Sequence, residues 1–351
     1  MPAVCSFQAT ARMVCYAMFK RRLKRFYRKI RRPFEWLLIG LGQLLIPRLS
    51  LRGTVRLANF MANSVYLVDS RSKEISRANL RLIFGGRMTR KRENAIIRRS
   101  FQNMARVLVN IFWISRDTRR RVLDQVEFDP GVMDRLKRDM PVILVSAHIG
   151  NWEVLTQALA ANGVPVMSVA KRVGSRSMTR RLVKMRSTLG QQIVPAEGAV
   201  RPMVAALKKG VSVGLLIDQH IHTWEGGVWV RFFGVPAGIS LAPAALARKN
   251  RVPIFFGWSR PLKDGRYRIE YDCMFAADPE KDDTELTRQI VAAFERVIRR
   301  HPSLWCLNYR RWRYVAPGED RARYPFYARP SRTNNADPHK THDNNAFSVN
   351  P

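Results

Sequence analysis

The sequence predicts an α/β protein in which a mainly parallel sheet is flanked by helices, with a helical region before it. From residue 141 onward, short apolar runs alternate with amphipathic segments of about ten residues, which is typical of successive βαβ units. The first three helical segments of this part end at glycine or at an Asn-Gly pair, which are common helix stop signals. Hydrophobic residues make up 46% of the 351-residue chain, enough to bury a substantial core.

The repeating part begins with four predicted strands separated by three predicted helices. The strands are PVILVSA, VPVMSVA, QQIVPA and VSVGLLID, and the helices are EVLTQALAANG, SMTRRLVKMRSTLG and VRPMVAALKKG. A helix (SLAPAALARKN), two strands (VPIFFGWSRP and YRIEYDCMF) and a long helix (DTELTRQIVAAFERVIRRHP) follow. We assign these elements to an α/β domain over residues 131–316.

Four further regions lie outside this domain. Residues 51–130 have apolar positions spaced by three and four, which predicts helices that pack on the α/β domain. Residues 33–50 include the apolar stretch PFEWLLIGLGQLLIP, which is shorter than the roughly 20 residues needed to cross a bilayer. It predicts an interfacial or membrane-inserted helix, and a buried core helix is the alternative. Residues 1–32 form a basic arm, and the polar residues 317–351 predict a disordered tail.

The charge balance points to an anionic partner. The chain has 62 Lys and Arg residues against 27 Asp and Glu residues, a formal net charge of +35. Nucleic acid, an anionic membrane surface and acidic proteins or substrates all fit such a charge. The sequence carries no helix-turn-helix, zinc-finger or P-loop signature, so we favour a membrane surface and expect no nucleic acid.

Metal and disulfide chemistry are not indicated. The four cysteines form no CxxC pair and have no metal-ligand spacing with histidine, which fits a reducing compartment. His220 and His222 follow Asp218 on one predicted loop, but this is a weak metal pattern. We expect neither a metal nor a cofactor.

The stretch SAHIGNWE is the strongest candidate for chemistry. His148 follows a predicted strand, and Glu153 lies in the first turn of the next helix. On a straight helix a spacing of five would point the two side chains about 140° apart, so the pair can meet only across a turn. Gly150 permits unusual backbone angles and Asn151 is a good helix N-cap, so the sequence provides that turn. These residues alone leave two interpretations open. The pair is catalytic, or His148 is a core histidine that happens to lie near a surface glutamate.

Several ordered motifs resemble one enzyme family. They are RANLRLIF, HIGNWE, MVAALKKGVSVGLLIDQ, GVWVRFFGVPAGISLAPAALARKNRVPI and HPSLWCLNYRRWR. In this order, and over roughly residues 33–315, the chain resembles the bacterial lipid A biosynthesis (late) acyltransferases. That family lies within the lysophospholipid/glycerophospholipid acyltransferase superfamily. Ordered motifs are far more specific than a single one.

The resemblance implies a glycerophospholipid-acyltransferase-like fold and the transfer of a fatty acyl chain from a thioester, usually on acyl carrier protein, to a hydroxyl of a membrane lipid. His148 would be the general base and Glu153 would orient its ring, with support from Gly150, Asn151 and Trp152. The expected substrate-binding residues are Lys171, Arg172, Asp218, Gln219, Phe232, Phe233, Gly234, Arg310 and Arg311.

Some of these roles have structural alternatives. The pair Asp218-Gln219 could face the cleft or cap the next segment. The block Phe232–Gly234 could shape an acyl channel or pack the core. Arg310 and Arg311 could bind lipid phosphate or belong to an interfacial structural segment.

The family resemblance also sets expectations about acceptor and location. We expect a lipid A precursor as acceptor and a location on the cytoplasmic face of the inner membrane. The alternatives are a lysophospholipid or another glycolipid as acceptor, or a non-catalytic basic protein that binds membranes or nucleic acid on the same scaffold.

Overall fold

The computed structural model describes residues 37, 39–172, 176–276, 278, 280 and 282–331. Two compact units are distinguished, Met1–Leu49 and Ser50–Pro351. In the first unit residues 39–45 are helical and lead into a 3-10 turn over Ile46–Arg48. Among the described residues no helix is both long and apolar enough to cross a bilayer. The predicted basic arm over 1–32 lies outside the described residues, so it stays a prediction.

The second unit opens with four helices: α1 (Leu51–Val68), α2 (Ser70–Phe84), α3 (Arg90–Trp113) and α4 (Thr118–Gln125). Their starts follow from local chemistry, because the side chains of Ser50, Asp69 and Thr89 each accept a hydrogen bond from a backbone N–H of the first turn. Helices therefore occupy most of residues 51–125, and a short strand, β1 (Val126–Phe128), follows them.

A seven-stranded sheet forms the centre of the second unit. Its further strands are β2 (Ile143–Ser146), β3 (Val166–Ala170), β4 (Gln192–Pro195), β5 (Ser212–Leu216), β8 (Ile254–Pro261) and β9 (Tyr267–Phe275). The order across the sheet is β1-β9-β8-β2-β5-β3-β4, with β8 and β9 antiparallel and all other neighbours parallel. The mainly parallel α/β sheet is confirmed.

The helices of this part are α5 (Val132–Asp139), α6 (Trp152–Ala161), α7 (Arg176–Arg186), α8 (Val200–Lys208), α9 (Ala242–Asn250) and α10 (Asp283–Arg300). Helices lie on both faces of the sheet, since alternate residues of β2 enter different clusters. Ile143 and Val145 join the large cluster, whereas Leu144 joins a smaller one with Leu136 of α5 and Leu159 of α6. A strand buried on both faces is a continuous apolar run, as the sequence shows.

The block around Phe232 forms a separate hairpin, β6 (Gly227–Phe232) and β7 (Val235–Ser240), that the sequence did not predict. Near the C-terminus β10 (Tyr314–Val315) pairs with β11 (Arg329–Pro330). The expected disordered tail is wrong for residues 317–331, because Tyr324 and Tyr327 are buried there. The remainder of that tail lies outside the described residues.

Candidate active site

His148 and Asp218 lie at equivalent positions of two neighbouring parallel strands. Ser146, the last residue of β2, is paired with Leu216, the last residue of β5. His148 and Asp218 each follow two residues later, so the register of the sheet brings their side chains together. Both lie at the carboxyl ends of strands, where open α/β sheets bind ligands. The distance from His148 Nδ1 to Asp218 Oδ1 is 2.6 Å.

The carboxylate of Asp218 is buried and held from three sides. Besides its bond to His148, its Oδ2 atom accepts a hydrogen bond from Trp305 Nε1 at 2.9 Å and lies 3.2 Å from the Arg311 guanidinium. Burial alone would raise the pKa of Asp218. The charges of His148 and Arg311 and the two hydrogen bonds outweigh this effect, so the pKa lies well below its usual range. The group is therefore a carboxylate at neutral pH.

The other ring nitrogen of His148 faces a cavity. The side-chain nitrogen of Gln219 lies 3.3 Å from His148 Nε2. With Asp218 accepting from Nδ1–H, Nε2 is the unprotonated nitrogen, which accepts from the Gln219 amide. The ring of Trp152 stands edge-on to the imidazole at 4.7 Å between centroids and fixes its plane. A lone pair on a held imidazole is what a general base needs.

The turn between β2 and α6 is built as the sequence predicts. Gly150 has φ +61°, and a Cβ there would lie 1.6 Å from the carbonyl oxygen of Ser259 in β8. Only glycine fits such an approach. The side chain of Asn151 caps α6 by accepting from the Val154 N–H at 3.2 Å, and its amide group donates to Asn110 Oδ1 of α3 at 3.0 Å.

The expected contact between His148 and Glu153 is corrected by the structure. Arg186, at the end of α7, donates from Nε to Glu153 Oε2 at 2.7 Å and makes a second bond to Oε1. In the part of the chain that the structure describes, the two His148 nitrogens contact Asp218 and Gln219 instead. Glu153 lines the same cavity, but Asp218 orients the ring because the strand register places it nearer.

The cavity has a volume of about 480 Å³ and extends from His148 along the sheet. Its polar lining includes Gln219, His220 and Lys171. The rest is mostly aliphatic, with Leu144, Leu155, Leu159, Val169, Ile193, Val200, Met203 and Leu215 among the lining residues. It is also lined by Ser146, Glu153, Thr156, Ser168, Arg186, Gln191, Glu225 and Ser240. A cleft that combines apolar walls with polar groups is typical of a ligand site.

Only some of the other predicted substrate-binding residues line the cavity. Lys171 lies on the cavity, whereas Arg172 is exposed and is not among the lining residues. Arg311 is 1% exposed and pairs with Asp218, so the structure places it beside that carboxylate, and it is not among the cavity-lining residues. Arg310 is half-buried in the same segment.

The block Phe232–Gly234 packs the core and does not line the cavity. Phe232 lies against Trp305 at 5.8 Å and Trp312 at 5.7 Å between ring centroids. Gly234 has φ +81° in the turn of the β6–β7 hairpin. The structure therefore places Phe232 and Phe233 in the core, as the packing alternative expects, and away from the cavity lining.

The sequence of this chain matches a known protein family. The model of the family described as "Bacterial lipid A biosynthesis acyltransferase" matches residues 21–314. The chain belongs to this family. The protein is therefore an O-acyltransferase.

Two curated relatives of this acyltransferase are named for phosphatidylinositol mannosides. The phosphatidylinositol mannoside acyltransferase of Mycolicibacterium smegmatis is 25% identical over 283 residues, which cover 75% of this chain and 87% of the relative. A phosphatidylinositol mannoside acyltransferase of Mycobacterium tuberculosis is 23% identical over 229 residues, 61% of this chain and 69% of the relative.

Thiol chemistry does not fit the site of this acyltransferase. The backbone N–H of Cys306 donates to the carbonyl of His148 at 3.0 Å, and the thiol lies 3.2 Å from Asn308 Oδ1. Burial and the charge of Asp218 raise the pKa of Cys306 to about 12, which keeps the thiol protonated. Among the described residues no group of three or more His, Cys, Asp or Glu side chains is arranged to hold a metal ion.

Sequence reasoning missed two contributors to the site, Trp305 and Arg186. Trp305 belongs to the HPSLWCLNYRRWR motif, so its presence was a signal, but its bond to Asp218 was not foreseeable. Arg186 is one of several basic residues in the segment of α7, and nothing in that pattern separates it from the others.

Proposed function

We propose that this acyltransferase moves a fatty acyl chain from a thioester to a hydroxyl of a membrane lipid, with His148 as general base and Asp218 as its partner. The observation that carries the proposal is the 2.6 Å contact of His148 Nδ1 with Asp218, which leaves Nε2 on the cavity. Glu153, which the sequence suggested as the partner of His148, lines the cavity and is bound by Arg186.

The reaction follows from this protonation state. The lipid hydroxyl gives its proton to His148 Nε2 as its oxygen attacks the thioester carbonyl. Asp218 stabilises the imidazolium that forms. When the tetrahedral intermediate collapses, the C–S bond breaks, and the imidazolium returns the proton to the departing thiolate. No covalent acyl-enzyme is required, in agreement with a protonated Cys306.

The aliphatic part of the cavity supports a fatty acyl chain as the transferred group. Burying such a chain is favourable by about 0.8 kcal/mol for each methylene group. His148 lines this cavity together with the aliphatic residues, so a chain bound in it could present its thioester carbon to Nε2. We propose acyl carrier protein as the donor, because the net charge of +35 suits an acidic carrier.

We propose a sugar hydroxyl of an anionic glycolipid as the acceptor. The family is described by lipid A biosynthesis, and the curated relatives are named for phosphatidylinositol mannosides. Lipid A precursors and phosphatidylinositol mannosides share a phosphorylated, sugar-bearing structure. A lipid A precursor is the expected acceptor, and another glycolipid or a lysophospholipid is the alternative.

We propose that the enzyme works at the cytoplasmic surface of the inner membrane and that α1 contacts the lipid. Three of its large apolar side chains are mostly exposed, with Phe60 at 71%, Leu67 at 76% and Val68 at 82%. At the edge between α1 and α3, Arg106 donates to Asn59 and Arg98 donates to Asn63. An apolar helix face bordered by arginine suits an anionic lipid surface.

The test is mass spectrometry of total membrane lipids from cells without the gene, complemented with wild type or with His148→Ala. Loss of one acyl chain from a single lipid class, restored by wild type and not by the variant, is the expected result. The lipid class that changes identifies the acceptor. Full restoration by His148→Ala would show that the catalytic proposal is wrong.

A further inference from the structure

His220 is a buried imidazole on the same cavity as His148. It is 8% exposed, and among the described residues neither of its ring nitrogens has a hydrogen-bond partner. A buried polar atom without a partner costs about 1–3 kcal/mol, so packing alone would favour phenylalanine here. The position therefore suits a group that completes its bonds with a ligand.

The ring of His220 is held in a built pocket. Its centroid lies 5.0 Å from that of Tyr314 and 5.8 Å from that of Trp229. Gly238 of β7 makes room for it, since a Cβ there would come within 2.7 Å of His220 Cε1. The imidazole therefore has a fixed position at the cavity wall.

The surroundings of His220 are positively charged. Its electrostatic neighbours are His222, Lys171, Arg311 and Arg313. The carboxylate on the same loop, Glu225, accepts from the backbone N–H of His222 at 3.3 Å.

In the described part of the chain, two of the neighbouring cations have no carboxylate as ion-pair partner. Arg311 is neutralised by Asp218, but in the described ranges of the chain no carboxylate lies within ion-pair distance of Lys171 or Arg313. Lys171 lines the cavity, and the Arg313 guanidinium lies 5.6 Å from the centre of the Tyr314 ring. Glu225 also lines the cavity, but the cations around His220 outnumber this carboxylate, and an anion would balance the remaining positive charge.

The protonation state of His220 agrees with binding to an oxygen acceptor. Burial, together with the neighbouring positive charges, lowers the pKa of His220 to about 4. At pH 7 the ring is neutral and offers one N–H donor. An anionic oxygen would accept from that N–H while Lys171 and Arg313 balance its charge.

We propose that His220, Lys171 and Arg313 bind a phosphate group of the acceptor lipid. The inference rests on the proposed function, since it assigns the phosphate to that reaction's substrate. Asp218 and His220 are two residues apart, so their Cα atoms lie within about 7 Å of each other. A phosphate at His220 is thus near the reacting atoms. The donor's own phosphate is separated from its thioester by the whole pantetheine arm, so the lipid phosphate fits better.

The first experiment follows the His220 side chain by NMR in the full-length protein, as pH is lowered with and without inorganic phosphate. We expect phosphate to move the titration midpoint of His220 upward by about one unit, because a bound anion favours the protonated ring. His301 is the matched control. It is a half-buried histidine against Trp258 whose pKa burial also lowers, and it is not among the cavity-lining residues. Its midpoint should not change with phosphate.

The second experiment compares the kinetics of His220→Phe, His220→Asn and His301→Phe. Phenylalanine keeps the ring packing and removes the N–H donor, whereas asparagine restores a donor. We expect His220→Phe to raise the KM for the phosphorylated lipid about tenfold or more, with the KM for the donor unchanged and kcat within about threefold. His220→Asn should recover part of the loss, and His301→Phe should behave as wild type.

The outcomes separate this proposal from the catalytic one. An unchanged His220 midpoint together with an unchanged lipid KM would mean that the ring only packs. A rise in the donor KM alone would overturn the assignment to the lipid. If phosphate shifts His220 but wild type transfers no acyl chain, the phosphate site stands and the proposed function fails.

Discussion

Among single residues, Asp218 has the most consequences for the site. Its carboxylate contacts His148, accepts a hydrogen bond from Trp305 and pairs with Arg311. The side chain is almost completely buried. A buried carboxylate with three partners stays ionised and immobile. The orientation of the base therefore depends on a residue 70 positions away in the chain.

Asp218→Asn should lower kcat roughly 10²–10⁴-fold, since an amide neither fixes the tautomer nor stabilises imidazolium. It should also reduce stability by roughly 3–5 kcal/mol, because Arg311 loses its counter-charge. Steady-state kinetics at a temperature where circular dichroism shows a folded protein would measure the first effect, and urea unfolding the second.

Glu153→Gln is the matched comparison for that variant. Glu153 bonds to Arg186 and not to the ring of His148, so kcat should fall by less than about tenfold. If Glu153→Gln proved as damaging to kcat as Asp218→Asn, the assignment of the partner would have to change. Asp218→Glu, which keeps the charge, should be intermediate.

The low pKa of His220 has an effect on stability in acid. An unfolded histidine binds its proton near pH 6.5, whereas the folded state resists protonation down to a pKa of about 4. Stability should therefore fall as pH drops from 6.5 to 4, by roughly 2 kcal/mol from this group. Urea unfolding at pH 7 and pH 4.5 in phosphate-free buffer should show a smaller decrease for His220→Phe. Equal decreases in both proteins would contradict this expectation.

At the residue scale the sequence pointed to His148 at the end of a strand and missed its contact with Asp218. The pair His148 and Glu153 is visible within one segment, and Gly150 and Asn151 correctly indicated the turn. The partner Asp218 was assigned to the cleft but not to His148, because the order of strands in the sheet is not contained in local patterns. Knowing that β2 and β5 are neighbours would have paired the two residues.

At the scale of elements, the connection from β2 to α6 is the tightest in the site. It needs a left-handed backbone at Gly150, and the carbonyl of Ser259 leaves no space for a side chain. The hydroxyl of Ser259 also accepts from the Asn151 N–H at 2.7 Å. The turn that follows His148 is thus held against β8 by these two contacts.

Gly150→Ala should destabilise the protein by roughly 3 kcal/mol or more, since the added carbon must displace strand backbone. Gly163→Ala is the matched control. It also has positive φ, at the end of α6, but nothing lies within 4 Å of its would-be Cβ. Its cost should be about 1 kcal/mol. Thermal unfolding compares the two, and equal losses would mean that the contact with β8 is unimportant.

Element prediction succeeded where periodicity was sustained. All the strands and helices predicted between residues 141 and 302 are present, because alternation of apolar runs and amphipathic segments is a local property. The β6–β7 hairpin was missed because β7 contains Pro236 and Gly238, residue types that are uncommon inside strands. The ordered stretch over 317–331 was missed because its polar composition conceals two buried tyrosines.

At the scale of the whole molecule, the exposed apolar face of α1 should matter for lipid binding. A glutamate at Leu67 or Val68 would add a negative charge to a face that we expect to enter the membrane interface. Co-sedimentation with vesicles containing anionic lipid should show about tenfold weaker binding for Leu67→Glu and for Val68→Glu. Leu123→Glu changes an exposed leucine of α4 and should bind as wild type does. Unaltered binding of all three variants would exclude α1 as the contact.

The helices before the sheet also build the catalytic centre. Ser100 of α3 donates to the Trp305 carbonyl at 2.7 Å, and Asn103 donates to the carbonyls of Leu304 and Gly150. Asn79 of α2 holds the carbonyls of Leu307 and Tyr309 at 2.8 Å.

A fragment shortened to the α/β region would therefore retain His148, Asp218 and Arg311 and still lose the anchors of the segment around Trp305. We expect the smallest active fragment to include α2 and α3, because these helices carry the anchors. Efforts to trim this enzyme, or to graft its chemistry onto another sheet, would have to carry those helices along.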